Sequence, residues 1–465
     1  MTVESPVEAV PGEAAVAMVA AEKPMDVVDA KVEVDDSKVV DKCSSYREDS
    51  NFLSDLKEFE RKALNEFKAR LEDAIVGGTL LKKVDKVAAE KQDKDEEEEK
   101  EKVPESIEEE KCLEVDLEIS IWGVPLLPSK GHEGTDVVLL KFLRAREFKV
   151  GDAFEMLEKT LLWRKEWKVE SGLNEDEGLS SELSSAGYLS GVDREGHPIC
   201  YNVYGAFATE ELYQAAFGSV ENHQKFLKWR AQLMEEGIRK LDLRPGGVSS
   251  LLQVNDLRNA PGPSKKNIRV ATKEAIELML DNYPEFVARN IFINVPFWYY
   301  AFNTILSHFF TQRSRSKFVV ARPSKVTETL LKYIPAEEIP VQYGGFKRDN
   351  DFEFSADEGT VSELSVKAGS TEVIEMPLEE VGKTLVWDIT VLGWEVNYKE
   401  EFVPIDEGSY TVIVQKSKKV GSGQKPIRNT FRNNEPGKLV ITVNNSSSKK
   451  KRVLYRYKTK KCSSF

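Results

Sequence analysis

Apolar and polar positions alternate with different periods in different parts of the chain, and the changes of period divide it. Residues 1–45 show no sustained period, are poor in aromatics, and cannot bury enough apolar surface to offset the entropy of ordering. They read as disordered. Phe52, Leu56, Phe59, Ala63, Phe67, Leu71 and Ala74 then recur at helical spacing with charges between them, which predicts an amphipathic helix over 51–76. Two readings stay open for its apolar stripe: packing on its own domain, or docking a partner or a membrane. Residues 82–110, with the Glu96–Glu99 run, are charged low complexity and read as a linker.

From Ile119 the texture is globular. Val137, Leu140, Phe142 and Leu143, then Phe154, Leu157, Leu161 and Leu162, predict helices over about 136–146 and 153–167. Past Gly178 strand-like and helix-like runs alternate: HPICYNVYG, a helical stretch from Glu210 to Lys240, GVSSLLQVNDL, a helix over 265–280, RNIFINV, an aromatic helix, KFVVA, and a helix over 325–333. Alternation of this kind predicts an α/β domain with a mainly parallel sheet. After Gly344–Gly345 the period becomes two. Leu385, Trp387, Ile389 and Val391 alternate with their neighbours, as do Tyr410, Val412 and Val414, and Leu439, Ile441 and Val443. The expectation is an antiparallel β-sandwich. The boundaries are 1–110 for an acidic region with one helix, 111–175 for a helical lead-in, 176–348 for the α/β domain and 353–465 for the sandwich.

Charge sharpens this division. The 465 residues carry a net charge of −13, but residues 1–120 hold 34 Asp and Glu against 18 Lys and Arg, while residues 411–465 hold 15 Lys and Arg and one acidic residue, Glu435. The head is acidic and the tail basic. In KKKRVLYRYKTKK the period-two rule sends Arg452, Arg456 and Lys458 to one face and Val453, Tyr455 and Tyr457 to the other. With Lys449, Lys450 and Lys451 they form a candidate patch for docking on anionic membrane. No aromatic stacking platform accompanies it, which argues against nucleic acid.

The chemistry of catalysis is missing from the sequence. Neither GxxxxGK[ST] nor GxGxxG follows a strand, and no GxSxG occurs. Cys43, Cys112, Cys200 and Cys462 form no CxxC, and His132, His197, His223 and His308 have no metal-ligand spacing. No enzyme, catalytic residue, metal or cofactor is expected. The first residues lack the basic start of a secretory signal, and no uncharged run approaches the roughly 18–20 residues that span a bilayer. Membrane contact is therefore expected to be peripheral, from the cytoplasm.

The stretch from Asp281 to Lys317 gathers the most specific signals. A β-rich run stops at Pro296; a helix follows with Trp298, Phe302, Ile305 and Phe309 on one wide apolar face; Arg313, Arg315 and Lys317 close it. An apolar face with a basic rim suits an amphiphile with an anionic head. NYPEFVARNIFINVPFWYYAFNTIL, with LLKFLRAREFKV upstream and YIPAEEIPVQYGG downstream, resembles the CRAL-TRIO lipid-transfer family across roughly residues 119–347. With an acidic head before it and a sandwich of GOLD type after it, the chain is similar to the patellins, plant proteins built in this order. The resemblance implies that the aromatic helix gates a cavity for one lipid's tails. It also implies head-group contacts at Arg146, Glu285 and Lys317, supported by Asp193. A phosphate diester buried against apolar walls needs such charge partners.

Where the yeast secretory phosphatidylinositol-transfer proteins of the resembled family present two hydroxyls to a choline head, this chain has Leu251 and Gln253, so choline-lipid exchange is not implied. The expected partners are phosphoinositides, anionic membranes and trafficking proteins met through the sandwich and the acidic head, and the resemblance implies a role in membrane trafficking and cell-plate growth. A trafficking scaffold with a vestigial pocket and a carrier of a tocopherol or sterol are the competing readings; a neutral ligand would not need this charge set.

Overall fold

The structure is a computed structural model and describes residues 46–81, 117–170, 182–262, 265–295, 316–354, 360–393, 395–421 and 424–460. The expected disordered head, the linker and the aromatic helix bearing Trp298, Phe302, Ile305 and Phe309 lie outside them, so the gate is an expectation only. Of the described residues, 46–189, 200–290 and 316–319 form one compact unit, and 190–199, 291–295 and 320–460 form a second.

The first unit opens with helix α1 (Glu58–Val76), which starts later than its apolar spacing predicts because Leu53–Asp55 turns first. The Glu60 carboxylate accepts from the Lys57 backbone N–H at 2.9 Å and closes the free start of the helix. Its buried stripe is Ala63, Leu64, Phe67, Leu71, Ala74 and Ile75, while Phe52 and Phe59 remain exposed. A short hairpin, β1 (Ser120–Ile121) and β2 (Val124–Pro125), leads to α2 (Glu133–Ala145) and α3 (Val150–Glu166). These elements share one core, where Phe67 meets the Phe154 ring edge-on at 6.2 Å. The two readings of α1 are thereby separated: its stripe packs on its own unit.

A five-stranded sheet runs in the order β3 (Gly187–Val192), β4 (Pro198–Val203), β5 (Leu251–Asp256), β6 (Val287–Ile293), β7 (Phe318–Val320). Between β4 and β5 come α4 (Glu210–Phe217) and α5 (Val220–Ile238), and between β5 and β6 comes α6 (Lys266–Asn282). Helical crossovers between neighbouring strands are what parallel pairing requires. The helices expected from Glu210 to Lys240 are two, parted at Gly218, and the Ser219 hydroxyl caps the second by accepting from Asn222 N–H at 3.1 Å. Buried Arg164 of α3 donates to Glu235 of α5 at 2.5 Å, so a paired charge joins these helices.

In the second unit, α7 (Val326–Leu330) precedes eight antiparallel strands in two sheets: β8 (Ser362–Val366), β9 (Thr371–Leu378), β10 (Thr384–Leu392), β11 (Val396–Pro404), β12 (Val412–Val420), β13 (Ile427–Arg432), β14 (Gly437–Asn444) and β15 (Lys451–Lys460). The orders are β13-β10-β15-β8 and β12-β11-β14-β9. Leu385, Trp387, Ile389 and Val453 from one sheet meet Tyr398, Phe402, Leu439 and Ile441 from the other. This is the expected sandwich, with Glu400 buried in it and accepting from Trp387 Nε1 at 3.0 Å, from the Tyr398 hydroxyl, and from Asn429 Nδ2 at 2.7 Å.

The outer face of β10 and β15 is not open to solvent. Phe346 and Ala336 pack on Leu392 and Leu454. Asp351 and Arg348 join Asp388, Arg428 and Arg456 in one charged cluster against this face. The basic patch read from β15 is corrected accordingly. Arg456 is buried and pairs with Asp388 at 2.8 Å; Lys451 is buried; Arg452 is bound to Glu363 at 2.6 Å; and Lys458 lies 5.4 Å from the Phe354 ring centroid. Lys449 and Lys450 stand exposed just ahead of the strand.

Candidate functional site

Two cations, Lys141 and Arg144, line one cavity in the first unit, and two more, Lys317 and Arg289, bind residues that line it. Lys141 sits on the inner face of α2, fully buried, because Val137, Leu140 and Phe142 draw that helix into the core. Its ammonium donates to the Ser249 carbonyl at 2.7 Å and the Glu285 carbonyl at 3.0 Å, and lies 4.3 Å from the Phe286 ring centroid. Burial pushes its pKa down to about 7, against the pull of Glu48 and Glu285. Arg144 is three residues on and therefore on the same helical face.

Glu285 stands between α6 and β6 with φ +52°, a left-handed backbone uncommon for a residue with a side chain. That conformation lets its carbonyl receive Lys141 while its carboxylate turns to Lys317, whose ammonium is 2.7 Å away at the entry to β7. Arg289, buried on β6, completes the set. The cavity has a volume of about 230 Å³ and is lined in part by Lys141, Arg144, Ser249 and Glu285. Such a site can hold an anionic, hydroxyl-bearing group, with cations for its charge and a carboxylate and backbone for its hydroxyls.

The structure brings the expected residues Glu285 and Lys317 together. It does not bring Arg146 to them in the described contacts. Helix α2 ends at Ala145, so Arg146 follows the last helical turn, and its guanidinium donates to the Ala145 carbonyl at 3.2 Å. Arg144 takes the place at the cavity, and the Lys141–Arg144 spacing was the sequence signal for it. Asp193, expected to support the cluster, instead organises the turn between β3 and β4. Its carboxylate accepts from the Glu195 and His197 N–H groups at 2.9 and 2.8 Å and lies 2.8 Å from His197 Nδ1. Among the described residues no group of His, Cys, Asp and Glu could hold a metal ion, and no helix is long and apolar enough to cross a membrane.

Comparison with known proteins agrees with this architecture. Residues 63–159 match the family model "CRAL/TRIO, N-terminal domain", residues 183–345 match "CRAL/TRIO domain", and residues 367–451 match "Patellin-1-like, C-terminal GOLD domain". Patellin-4 of Arabidopsis thaliana is 52% identical, with 93% of each chain covered. Patellin-3 of the same plant is 44% identical over 91% of this chain and 79% of its own. A protein of Emericella nidulans named phosphatidylinositol transfer protein sfh5 is 32% identical over 49% of this chain and 58% of its own. With its CRAL-TRIO architecture followed by a patellin-type GOLD sandwich, this chain belongs to the patellin family.

Proposed function

We propose that this chain binds a phospholipid with a phosphorylated inositol head and carries or presents it at membranes in vesicle trafficking. The Lys317–Glu285 pair at a cavity shared with Lys141 and Arg144 carries this reading: a neutral hydrophobe such as a sterol gives no reason to gather these charges. The similarity to a protein named for phosphatidylinositol transfer supports it. Lys317→Ala is expected to lower inositol-lipid loading about ten- to a hundredfold with little change in folding, since a hydrogen bond from a charged group contributes roughly 1.5–3 kcal/mol. Solvent extraction and mass spectrometry of the lipid that co-purifies with wild type and variant decide it. Equal loading removes Lys317 from the site.

Docking on anionic membrane belongs to the same proposal, with a revised surface. Lys449 and Lys450 are exposed, and so are Lys416, Lys418 and Lys419 on β12, the last paired with Glu395 at 3.1 Å; this edge strand exposes Ile413, and the residues before it expose Ile405 and Tyr410. Each lysine near an anionic leaflet contributes roughly 1 kcal/mol. Sedimentation of the full chain with anionic vesicles is expected to fall steeply with salt and to weaken when Lys449 and Lys450 are changed to Ser. Binding indifferent to both would place docking elsewhere.

A further inference from the structure

The rim of the cation-rich cavity is covered by the chain's own acidic segment, residues 46–52, reading YREDSNF. Several of that segment's contacts with the rim engage groups that an anionic ligand would also use. Arg144 donates from Nη1 to the Asn51 side-chain oxygen and from Nη2 to the Ser50 carbonyl, both at 2.6 Å, and its Nε lies 4.0 Å from the Asp49 carboxylate. Arg289 donates to the Tyr46 carbonyl at 3.3 Å. Lys317 places its ammonium 5.1 Å from the Tyr46 ring centroid. The Ser250 hydroxyl donates to the Glu48 carboxylate, and Asn51 donates to the Ser249 hydroxyl at 3.2 Å. Glu48 is also the acidic group that does most to favour the charged form of Lys141; Glu285 adds to it, and Arg144 and Lys317 oppose it.

The way the segment is attached suits an occupant that can leave. It has no regular secondary structure of its own and joins α1 only through the turn at Leu53–Asp55. At its end the tip of the Phe52 ring lies against Gly246, where an added Cβ would come within 2.6 Å of the ring and the backbone has φ +81°. Glycine is needed there on both counts. Phe52 is nevertheless about half exposed, so its anchoring is partial. Residues 46–51 meet the rim by hydrogen bonding with Arg144, Arg289, Ser249 and Ser250. Contacts of that kind are the ones a stronger anion replaces one for one.

We propose that residues 46–52 are an internal competitor for the head-group site, and that a phosphate monoester binds there by displacing them. This rests on the reading of the cavity as a head-group site. The ligand chemistry has two sources: the phosphorylated inositol head of a membrane lipid, or a soluble inositol phosphate. A monoester supplies three acceptor oxygens and close to two negative charges. It thereby replaces the Asn51 oxygen, the Ser50 and Tyr46 carbonyls and the Glu48 carboxylate with one compact group that Arg144, Arg289 and Lys317 can share.

The test uses the full chain and a variant carrying Tyr46→Ala, Glu48→Gln and Asn51→Ala, none of which belongs to the cation set. Two probes are titrated: soluble inositol trisphosphate, and phosphatidylcholine vesicles doped with phosphatidylinositol monophosphate. Hydrogen exchange of the 46–52 amides is followed in parallel. The variant is expected to bind about tenfold tighter, the gain for a site otherwise free a tenth of the time, and the ligand is expected to abolish wild-type protection of 46–52. A gain with both probes assigns recognition to the phosphate monoester itself; a gain on vesicles alone assigns it to the lipid. Equal binding by both proteins with protection of 46–52 retained would overturn the proposal and leave the head-group site standing. If neither probe binds either protein, the head-group reading fails, and the competitor fails with it.

Discussion

Asp388→Ala is expected to cost the second unit about 3–5 kcal/mol, the penalty for leaving buried cations without their anion. Asp388 is fully buried on β10 and is met by Arg428 at 2.9 and 2.7 Å, by Arg456 at 2.8 Å and by Arg348 at 2.9 Å. Asp351 is left to serve Arg428 and Arg456, while Arg348 loses the carboxylate it pairs with and keeps a hydrogen bond to the Phe346 carbonyl. Asp388→Asn keeps much of the shape and loses the charge, and is expected to fall between wild type and Ala. The exposed pair Lys438–Glu375, also at 2.7 Å, supplies the contrast: Lys438→Ala is expected to cost no more than about 1 kcal/mol. Denaturant unfolding followed by hydrogen exchange in β10 and β15 reads both. An Asp388→Ala cost no greater than that of Lys438→Ala would show that the cluster is solvated and contributes little.

The same cluster carries a pH signature. Burial raises the Asp351 pKa, but hydrogen bonds from Arg428 and from the Glu353 and Phe354 backbone outweigh it and hold the carboxyl down at about 2. A carboxyl depressed on folding contributes stability that is complete above its ordinary 3.8 and is lost as pH falls through about 2.

How much could be read from the sequence depended on whether a residue's partner was near it in the pattern. Trp387, Ile389 and Val391 announced a strand because period two is local, and the sandwich followed. The same rule placed Arg456 opposite Val453 and Tyr455, yet it could not show that Phe346 and Asp351, more than a hundred residues away, cover that face. Parity fixes which side a residue takes, and it says nothing about what lies on that side. Glu400 gave no sign of its buried place between Trp387 and Tyr398, since its hydrogen-bond donors lie on three strands. At the candidate site, Glu285 and Lys317 were found through a resemblance that fixed both positions. Arg146 was likewise taken from the resemblance, as the second arginine of LRAR; the end of α2 decides which arginine stays on the Lys141 face, and helix ends are set by tertiary contacts as much as by local residues. Asp193 was also taken from the resemblance, while its position two and four residues before Glu195 and His197 was the better guide: an Asp at a turn binds the N–H groups just after it.

Phe67→Ala is expected to cost the first unit about 3–5 kcal/mol, a loss that tests whether α1 is part of the fold or a segment held for a partner. Phe67 has no exposed surface and sits in the core that α1 shares with α2 and α3, against Phe154. Truncation removes its transfer energy and leaves a cavity that Leu64, Leu71 and Leu157, already fixed by their own neighbours, can fill only in part. Arg70, one turn along α1, lies 4.2 Å from the Phe154 ring centroid and restrains that ring. Phe59, on the same helix, is more than half exposed and meets Phe148 edge-on at 5.6 Å. Phe59→Ala is therefore expected to cost only about 1 kcal/mol, the worth of one aromatic pair. A segment kept for docking would reverse the order, with Phe59 mattering to a partner and Phe67 indifferent to stability. The consequence reaches the candidate site, because α2 carries Lys141 and Arg144 and is held on one side by α1. Loosening of α2 by Phe67→Ala is expected to weaken inositol-lipid loading although Phe67 is not among the cavity-lining residues. Hydrogen exchange across α2 in the two variants, measured beside their loading, decides it: protection of α2 unchanged in Phe67→Ala would show that α1 is not what holds the cations in place.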